Sequence, residues 1–393
     1  MSQSLQYVPD YRLSINGDEI PRALRSSITS ISYEDGQNAA DRVEISLANA
    51  NLQWLQDHIK GLGFRPFPTG LSYGPFKASL TNEGLFDMDN KIELSLGYAD
   101  GQVEKVFKGE ITGVEADFPV SGMPSMTVVA HDYLHRMAEG SYGRGFGPLP
   151  DAVIAAILGA ENLLLPAIDP AVAAASTAIA VVNFIFNGSG RKQKGQTHLE
   201  LLKEIAETYD ADFWVEDDIL FLSRFIKEYS PRMTLKWGES LLSFSPRVTT
   251  IGKIAGIGAK FTLREIPLTF LVAVAWDFDR ESLLIQVVPG AAAASLKTLI
   301  GPITTFINRP VGSPADIVNS GLFLARKLRQ TINGRLTGSA SSVGDPRIRA
   351  GAVIEIQNVG PDFSGNYRVT SASHVINNTG YRTHFNFHKE IIP

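Results

Sequence analysis

The chain has 393 residues, 44% apolar and 20% charged, with a formal net charge of −5, enough for two to four domains with sizeable cores. The acidic balance argues against nucleic acid as the main partner, since phosphate binding needs a basic face. The absence of cysteine excludes disulfides and thiolate metal sites and suits a reducing compartment. The start, MSQSLQYVPDYRL, has no basic stretch followed by an apolar core, so no secretory signal is expected.

The first third reads as β-structure. In KIELSLGY, Ile92, Leu94 and Leu96 face one way while Glu93 and Ser95 face the other. Lys105 to Asp117 and Ser125 to Ala130 read as two more strands, joined through Pro-Val-Ser-Gly at 119–122. The middle is mixed. Thr197-His-Leu-Glu200 is a capping box, and Leu199, Leu202, Ile205 and Tyr209 mark one apolar helix stripe behind it. Phe213 to Leu222 reads as a hairpin turning at Asp217-Asp218. A second helix is expected after Ser313-Pro314, with the stripe Val318, Leu322, Ala325, Leu328 and Ile332 and a stop at Asn333-Gly334. The last fifty residues return to β-structure, with Val353, Tyr367, Val369, Phe385 and Phe387 alternating between turns at Gly360, Gly365 and Gly380.

The two β-regions echo each other. Ile92-Glu-Leu is followed by Phe107-Lys-Gly109-Glu-Ile111, a strand, a glycine-containing turn and a final strand. Ile354-Glu-Ile is followed by Phe363-Ser-Gly365-Asn-Tyr367 and the same succession. Phe-x-Gly-x-apolar reads as the start of a strand, with glycine making room for a tight bend. A duplicated small β-barrel is one reading and chance the other, because glycine and phenylalanine are common here.

Three segments, in order and spacing, resemble the phage late-control gene D family of contractile-tail hub proteins and the N-terminal hub part of the VgrG spike proteins of type VI secretion. One is Thr197 to Tyr209 with Phe213-Trp-Val-Glu-Asp-Asp-Ile-Leu. Another is Leu235-Lys-Trp237-Gly238 with Leu241-Leu-Ser-Phe244 and Val274-Ala-Trp-Asp277. The best is Val343-Gly-Asp345-Pro346-Arg-Ile-Arg-Ala-Gly351, continued by Gly360 to His374 and Gly380-Tyr381-Arg-Thr-His-Phe. The resemblance covers nearly the whole chain. It implies a non-enzymatic baseplate component with no cofactor: a homotrimer of chains with two related barrels each, a ring adapting a sixfold tube to a threefold spike. The implied partners are tail tube proteins, other baseplate proteins and a spike. It also implies assembly in the bacterial cytoplasm into a virion tail or injection particle. VgrG-type chains continue into an oligonucleotide-binding-like barrel and a β-helical needle. This sequence stops at Pro393, so the spike is expected to be another polypeptide.

Candidate chemistry is sparse. His131, Asp132 and His135 lack a third metal ligand, and surface or satisfied histidines are the better reading. His384 and His388 are expected on a polar strand face, with Phe385 and Phe387 on the core side. Glu216, Asp217 and Asp218 are adjacent acids in a turn, not two carboxylates across a cleft, and read as solvated. Gly143-Arg-Gly-Phe-Gly147 lacks the Lys-Ser/Thr ending of a phosphate loop and reads as a linker. Ala171 to Phe186 is uncharged and followed by Arg191, Lys192 and Lys194. It is shorter than the ~20 residues of a membrane span, and membrane contact is not expected. Val172, Ile179, Val182, Ile185 and Phe186 are expected to be covered by a neighbouring subunit, the body of the ring or a partner.

The expected fold is therefore β-rich α+β: two related small β-barrels with helical and mixed α/β insertions. The expected boundaries are 1–140 for the first barrel, 141–235 for a mixed domain and 236–393 for the second barrel, with a helical insertion near 313–334.

Overall fold

In the computed structural model the described residues are 8–49, 84–99, 101, 103–187, 190–223, 230–249, 254–263, 269–277, 282–289, 303–311, 328–329 and 332–389. The first β-unit contains β1 (Pro9–Ile15), β2 (Asp18–Glu19), β3 (Ile28–Gly36), β4 (Arg42–Ala48), β5 (Lys91–Tyr98), β6 (Glu104–Asp117) and β7 (Ser125–Asp132), with a short α1 (Arg22–Ser27) before β3. A mixed layer follows: β8 (Tyr142–Gly145), α2 (Asp151–Glu161), β9 (Leu165–Ile168), α3 (Pro170–Asn187), β10 (Lys192–Gln196), α4 (His198–Tyr209), β11 (Asp212–Glu216) and β12 (Ile219–Ser223). The second β-unit contains β13 (Met233–Lys236) and β14 (Leu241–Val248). After a separate four-stranded sheet of β15 (Ile254–Leu263), β16 (Thr269–Asp277), β17 (Ser282–Pro289) and β18 (Ile303–Val311), it resumes with β19 (Leu336–Val343), β20 (Val353–Gln357), β21 (Gly365–Asn377) and β22 (Gly380–His388).

The β-rich α+β fold with two related units is what the structure has. Strand alternation makes it so. Val43, Ile45 and Leu47 of β4 and Ile92, Leu94 and Leu96 of β5 all point into one core, and Tyr381, Phe385 and Phe387 of β22 line the inner face of the last strand. Buried residues gather into three clusters, one of Leu13 to Ala130 with Ile376 and Tyr381, one of Tyr133 to Leu222, and one of Leu235 to Phe387. The two β-units share a wall. Their strands run in the single order β14-β19-β22-β21-β3-β4-β7-β6-β5-β1-β2, with β20 on β21 and β13 on β20. Among the described residues no pairing closes this sheet.

The two units are paired alike. Strands β3-β4-β7-β6-β5 correspond to β14-β19-β22-β21-β20, all antiparallel. Irregularities fall at matching places: between Ile28 and Ser30 as between Leu241 and Ser243, and between Ile111 and Gly113 as between Val369 and Ser371. Bulges bend and twist a strand locally, so matching bulges give matching curvature. Ile92 faces Gly109 and Ile354 faces Tyr367, which makes Ile-Glu-Leu and Ile-Glu-Ile equivalent. The Phe-x-Gly parts are not equivalent. Gly365 lies opposite Ile356 where the first unit sets Phe107 opposite Leu94. The motif is displaced by two residues, a shift that keeps every side chain on its face. One outer strand also differs: β1 is antiparallel to β5, whereas β13 is parallel to β20.

The mixed layer follows its local signals. Thr197 and Glu200 form the reciprocal cap of α4, and the hairpin β11–β12 turns through Asp217 at φ 54. Pro170 opens α3, and the Asp169 carboxylate accepts from the Ala171 N–H at 2.8 Å. Of the second expected helix, 313–327, 330 and 331 lie outside the described residues. Leu328 and Ile332 of its stripe are buried.

Candidate assembly interface

The junction between the units is built from β3 and β21. Ser371 to Asn377 pair antiparallel with Ser30 to Gly36. Across it lies a buried polar network. Tyr33 donates to the Asp41 carboxylate at 2.7 Å and accepts from Arg349 Nη2 at 2.9 Å. Arg349 Nε approaches Asp35 at 3.3 Å and its Nη2 lies 3.6 Å from Asp41, while the Ala350 N–H donates to Asp35 at 2.9 Å. Above the Tyr33 ring stacks His374, centroids 5.6 Å apart. Its Nε2 meets the Ile348 carbonyl at 2.9 Å and its Nδ1 the Tyr381 hydroxyl at 2.8 Å. Burial raises Asp41 well above the carboxylate range, with the Asp35 and Asp132 charges adding to it, raises Asp132 to about 7, and lowers His374 to about 4.

The segment that carries the family resemblance best supplies this clamp. Asp345 turns the chain by accepting from the Arg347 N–H, Pro346 follows, Ile348 is buried, and Gly351 bends at φ +82 with its N–H on the Val369 carbonyl. Tyr381 lies over Gly344 so closely that a Cβ there would stand 2.1 Å from its ring. Asp35 and Asp41 are the junction residues that the sequence motifs left out, while Arg349 and His374 lie inside the segments that carry the resemblance. A signal for Asp35 is present: in Ile31-Ser-Tyr33-Glu-Asp35 the alternation puts an acid on the core face. Trp237, by contrast, is exposed, and Gly238 turns at φ +86 between β13 and β14. Phe107 and Tyr367 are core residues of their units, and Phe363 is half-buried.

Among the sheet edges without a ladder partner in the described residues, two flank the shared wall. One is the outer edge of β14, whose only ladder partner is β19. The other is the far half of β6: β5 covers it as far as Glu110, Ile111 bonds to Asn90, and beyond that only β7 pairs with it. Leu242 and Val248 on β14, and Phe118, Val120 and Met123 at the β6–β7 tip, are exposed.

The remaining expectations meet mixed fates. Val172 and Ile179 sit in the chain's own second core with Leu158, Leu201 and Ile205, so α3 finds its cover there within the chain, correcting the idea that these two need a neighbour. Val181 and Phe184 of the same helix are exposed, and the side chains of Val182, Ile185 and Phe186 lie outside those described. Among the described residues no helix is long and apolar enough to cross a membrane. The basic flank is partly spent: Arg191 grips Asp151 at 2.6 and 2.7 Å, and Lys192 and Lys194 belong to β10. The glycine-rich 143–147 is no linker, since Tyr142 to Gly145 pair with β10. The acidic turn is tied down: Asp217 pairs with Lys105, and Asp218 with Lys108 at 2.9 Å. His131 meets Thr112 at 2.7 Å and His135 the Asp132 carbonyl at 2.6 Å. Among the described residues no group of three or more His, Cys, Asp or Glu could hold a metal ion.

This architecture has counterparts among solved structures. The 43 kDa tail protein of prophage MuSo2 from Shewanella oneidensis matches with a TM-score of 0.58 at 11% identity, over 98% of this chain and 99% of that one. The tail protein from Neisseria meningitidis MC58 matches at 0.57 and 11%, over 98% and 97%. A component of the E. coli type VI secretion system, itself similar to the T4 tail proteins gp27 and gp5, matches at 0.54 and 10%, over 97% and 80%. The chain has the tail-protein fold. The matches run over 97–98% of this chain. No protein-family model and no curated protein matches the sequence.

Proposed function

We propose that this protein is a structural hub of a contractile phage tail or related injection machine. Three chains form a ring of six related β-units that joins the inner tube to a central spike. Its work is mechanical, with no reaction and no cofactor. The observation that supports this best is the doubled unit, with the same strand order and the same two bulge positions twice in one chain. Two like units per chain make six in three copies, the arithmetic needed to meet a sixfold tube and a threefold spike. The end-to-end likeness to prophage tail proteins supports the tail context. Tube, spike and other baseplate proteins are the partners in this reading, and the virion tail or injection particle is its location. The three-domain division, 1–140, 141–235 and 236–393, belongs to the same proposal, with the middle domain bracing the ring.

Light scattering on the purified chain over a concentration series tests it. The expected result is a species of three chains. A chain that stays single throughout, alone and with a spike protein added, overturns the ring.

A further inference from the structure

We infer that the cleft between α4 and the outer face of the second β-unit is a binding site for a small molecule bearing phosphate or carboxylate groups, an inference independent of the ring reading above. The site begins with strand register. Arg247 on β14 faces Thr337 on β19, Thr337 faces His388 on β22, and His388 faces Arg368 on β21. Residues directly opposite share a sheet face, so one row across four strands presents two guanidinium groups and an imidazole. Alternation sends their neighbours Leu336, Phe387 and Val369 to the other face, into the third core. The next outward row is Ser245, Ser339, Asn386 and Ser371, where Asn386 Nδ2 donates to the Ser371 hydroxyl at 2.9 Å. Neither row contains an acid.

α4 roofs this face over a cleft of about 920 Å³, a size suited to a small organic ligand. The row deepens inward. Arg247 is exposed, His388 is half-buried, and Arg368 is buried with its Nη1 on the Gly351 carbonyl at 2.7 Å. The opposite wall carries Glu207, Asp210 and Asp212, and two of these acids are visibly engaged. Asp210 holds Arg329 at 2.7 Å, and Asp212 accepts from Asn38 at 3.2 Å. Three donors facing the same cleft are not engaged: among the described residues Lys203, Arg247 and His388 make no hydrogen bond or ion pair.

Burial, reinforced by the charges of Arg368 and Arg329, lowers His388 to about 4. An anion seated beside that ring relieves the crowding of positive charge. It also gains charge-assisted hydrogen bonds from Lys203 and Arg247, roughly twice as strong as neutral ones. The hydroxyl and amide row beside it offers partners for further polar groups. Arg247 and His388 are two strand spacings apart, about 10 Å at the backbone, a span that two anionic groups fill better than one. A long polyanion fits poorly, because the acids of the opposite wall repel it and the chain carries a net charge of −5.

Pyrophosphate and citrate are the probes, titrated into the purified chain by calorimetry at pH 7.5, with thermal melts run against sodium chloride of equal ionic strength. The expected result is saturable binding of one molecule per chain, with a rise in melting temperature that chloride does not give. Tighter binding of pyrophosphate assigns a phosphate ligand, and tighter binding of citrate a carboxylate one. Lys203→Gln with Arg247→Gln alters two exposed side chains and should weaken binding at least tenfold. Thr337→Glu, which sets a carboxylate in the middle of the row, should abolish it. Arg12→Gln, which removes an exposed charge from β1 in the other unit, should leave it unchanged. Absence of saturable binding by both probes overturns the site. So does binding that the Lys203/Arg247 double variant retains, or that Arg12→Gln weakens equally.

Discussion

β6 and β21 are the same strand of two related units, and each carries a glycine two residues after a phenylalanine for a different reason. Gly109 lies inside β6, outside the left-handed region, and a Cβ there would stand 2.0 Å from the His131 carbonyl oxygen and 2.7 Å from the Phe107 ring. Gly365 opens β21 at φ +137, and a Cβ there would meet nothing nearer than Lys389 Nζ at 3.8 Å. The first glycine answers a close approach, the second a backbone conformation that L residues rarely adopt. By pairing register the partner of Gly109 is Tyr367, whose ring packs edge-on against Phe244 and Phe387. One unit fills that space with the ring of the position itself, the other with the ring of Phe107 laid over a glycine. The lesson is that the repeat lives in bulges and pairings, and equal sequence motifs can sit two residues apart within it.

The largest expected effect tests this contrast. Gly109→Val should abolish folding, because the blocking atom is backbone in the next strand and cannot step aside. Gly365→Val should cost about 1–3 kcal/mol, the usual range for a strained backbone conformation in open space. Urea midpoints of both variants decide it. Equal losses, or a greater loss at Gly365, would break the comparison.

That same contrast marks how far the sequence was legible. Local signals were readable because they depend on neighbours in the chain. The cap at Thr197 and Glu200, the turn at Asp217 and the inward phenylalanines of β22 are each fixed within a few residues. The joint between β3 and β21 joins residues more than three hundred apart and leaves no local trace. So too with the parallel pairing of β9 on β12, which no turn signal announces. The acidic turn at Asp217-Asp218 is exposed, as its composition suggests, but its lysine partners on β6 lie more than a hundred residues away and leave no local signal. The apolar run of α3 looked in need of a neighbour because α2 and α4, which cover Val172 and Ile179, contribute alternate faces that composition does not reveal.

The second test concerns what holds the two units together. Among the described residues Arg349 is the cation that lies within 4 Å of both Asp35 and Asp41. Arg349→Met keeps the length of the side chain and removes its charge, leaving the acids and the Tyr33 hydroxyl without their cationic partner. Breaking a buried pair from one side typically costs about 3–5 kcal/mol, less than the Gly109 clash and more than the Gly365 strain. Asp35→Asn in the same chain should recover part of it by removing one stranded charge. A loss under about 1 kcal/mol, read from urea unfolding, would mean that strand pairing alone carries the junction.

The smallest effect is a pH dependence, and two neighbours pull it in opposite directions. His374 is held neutral inside the junction by burial, with its proton-bearing Nε2 on the Ile348 carbonyl and its Nδ1 accepting from Tyr381. Its folded value of about 4 lies below the ordinary ~6.5. Between those values the unfolded chain takes up a proton that the folded chain refuses, so the contribution present above pH 6.5 is lost as the pH falls toward 4. Asp132, raised by burial to about 7, does the reverse: the folded chain keeps a proton that the unfolded one releases, so its contribution is full at low pH and is lost as the pH rises toward 7. In the wild type the two offset each other across the same window. His374→Gln removes only the first. The variant should be less stable at pH 7.5, having lost the ring stacked on Tyr33, and the gap to wild type should narrow by about 2 kcal/mol at pH 5, where 1.5 pH units of unpaid protonation have been removed. Paired urea titrations at the two pH values measure it. A gap that holds constant, or widens toward acid, would mean that His374 is not kept neutral by the fold and that the junction is wetter than its packing implies.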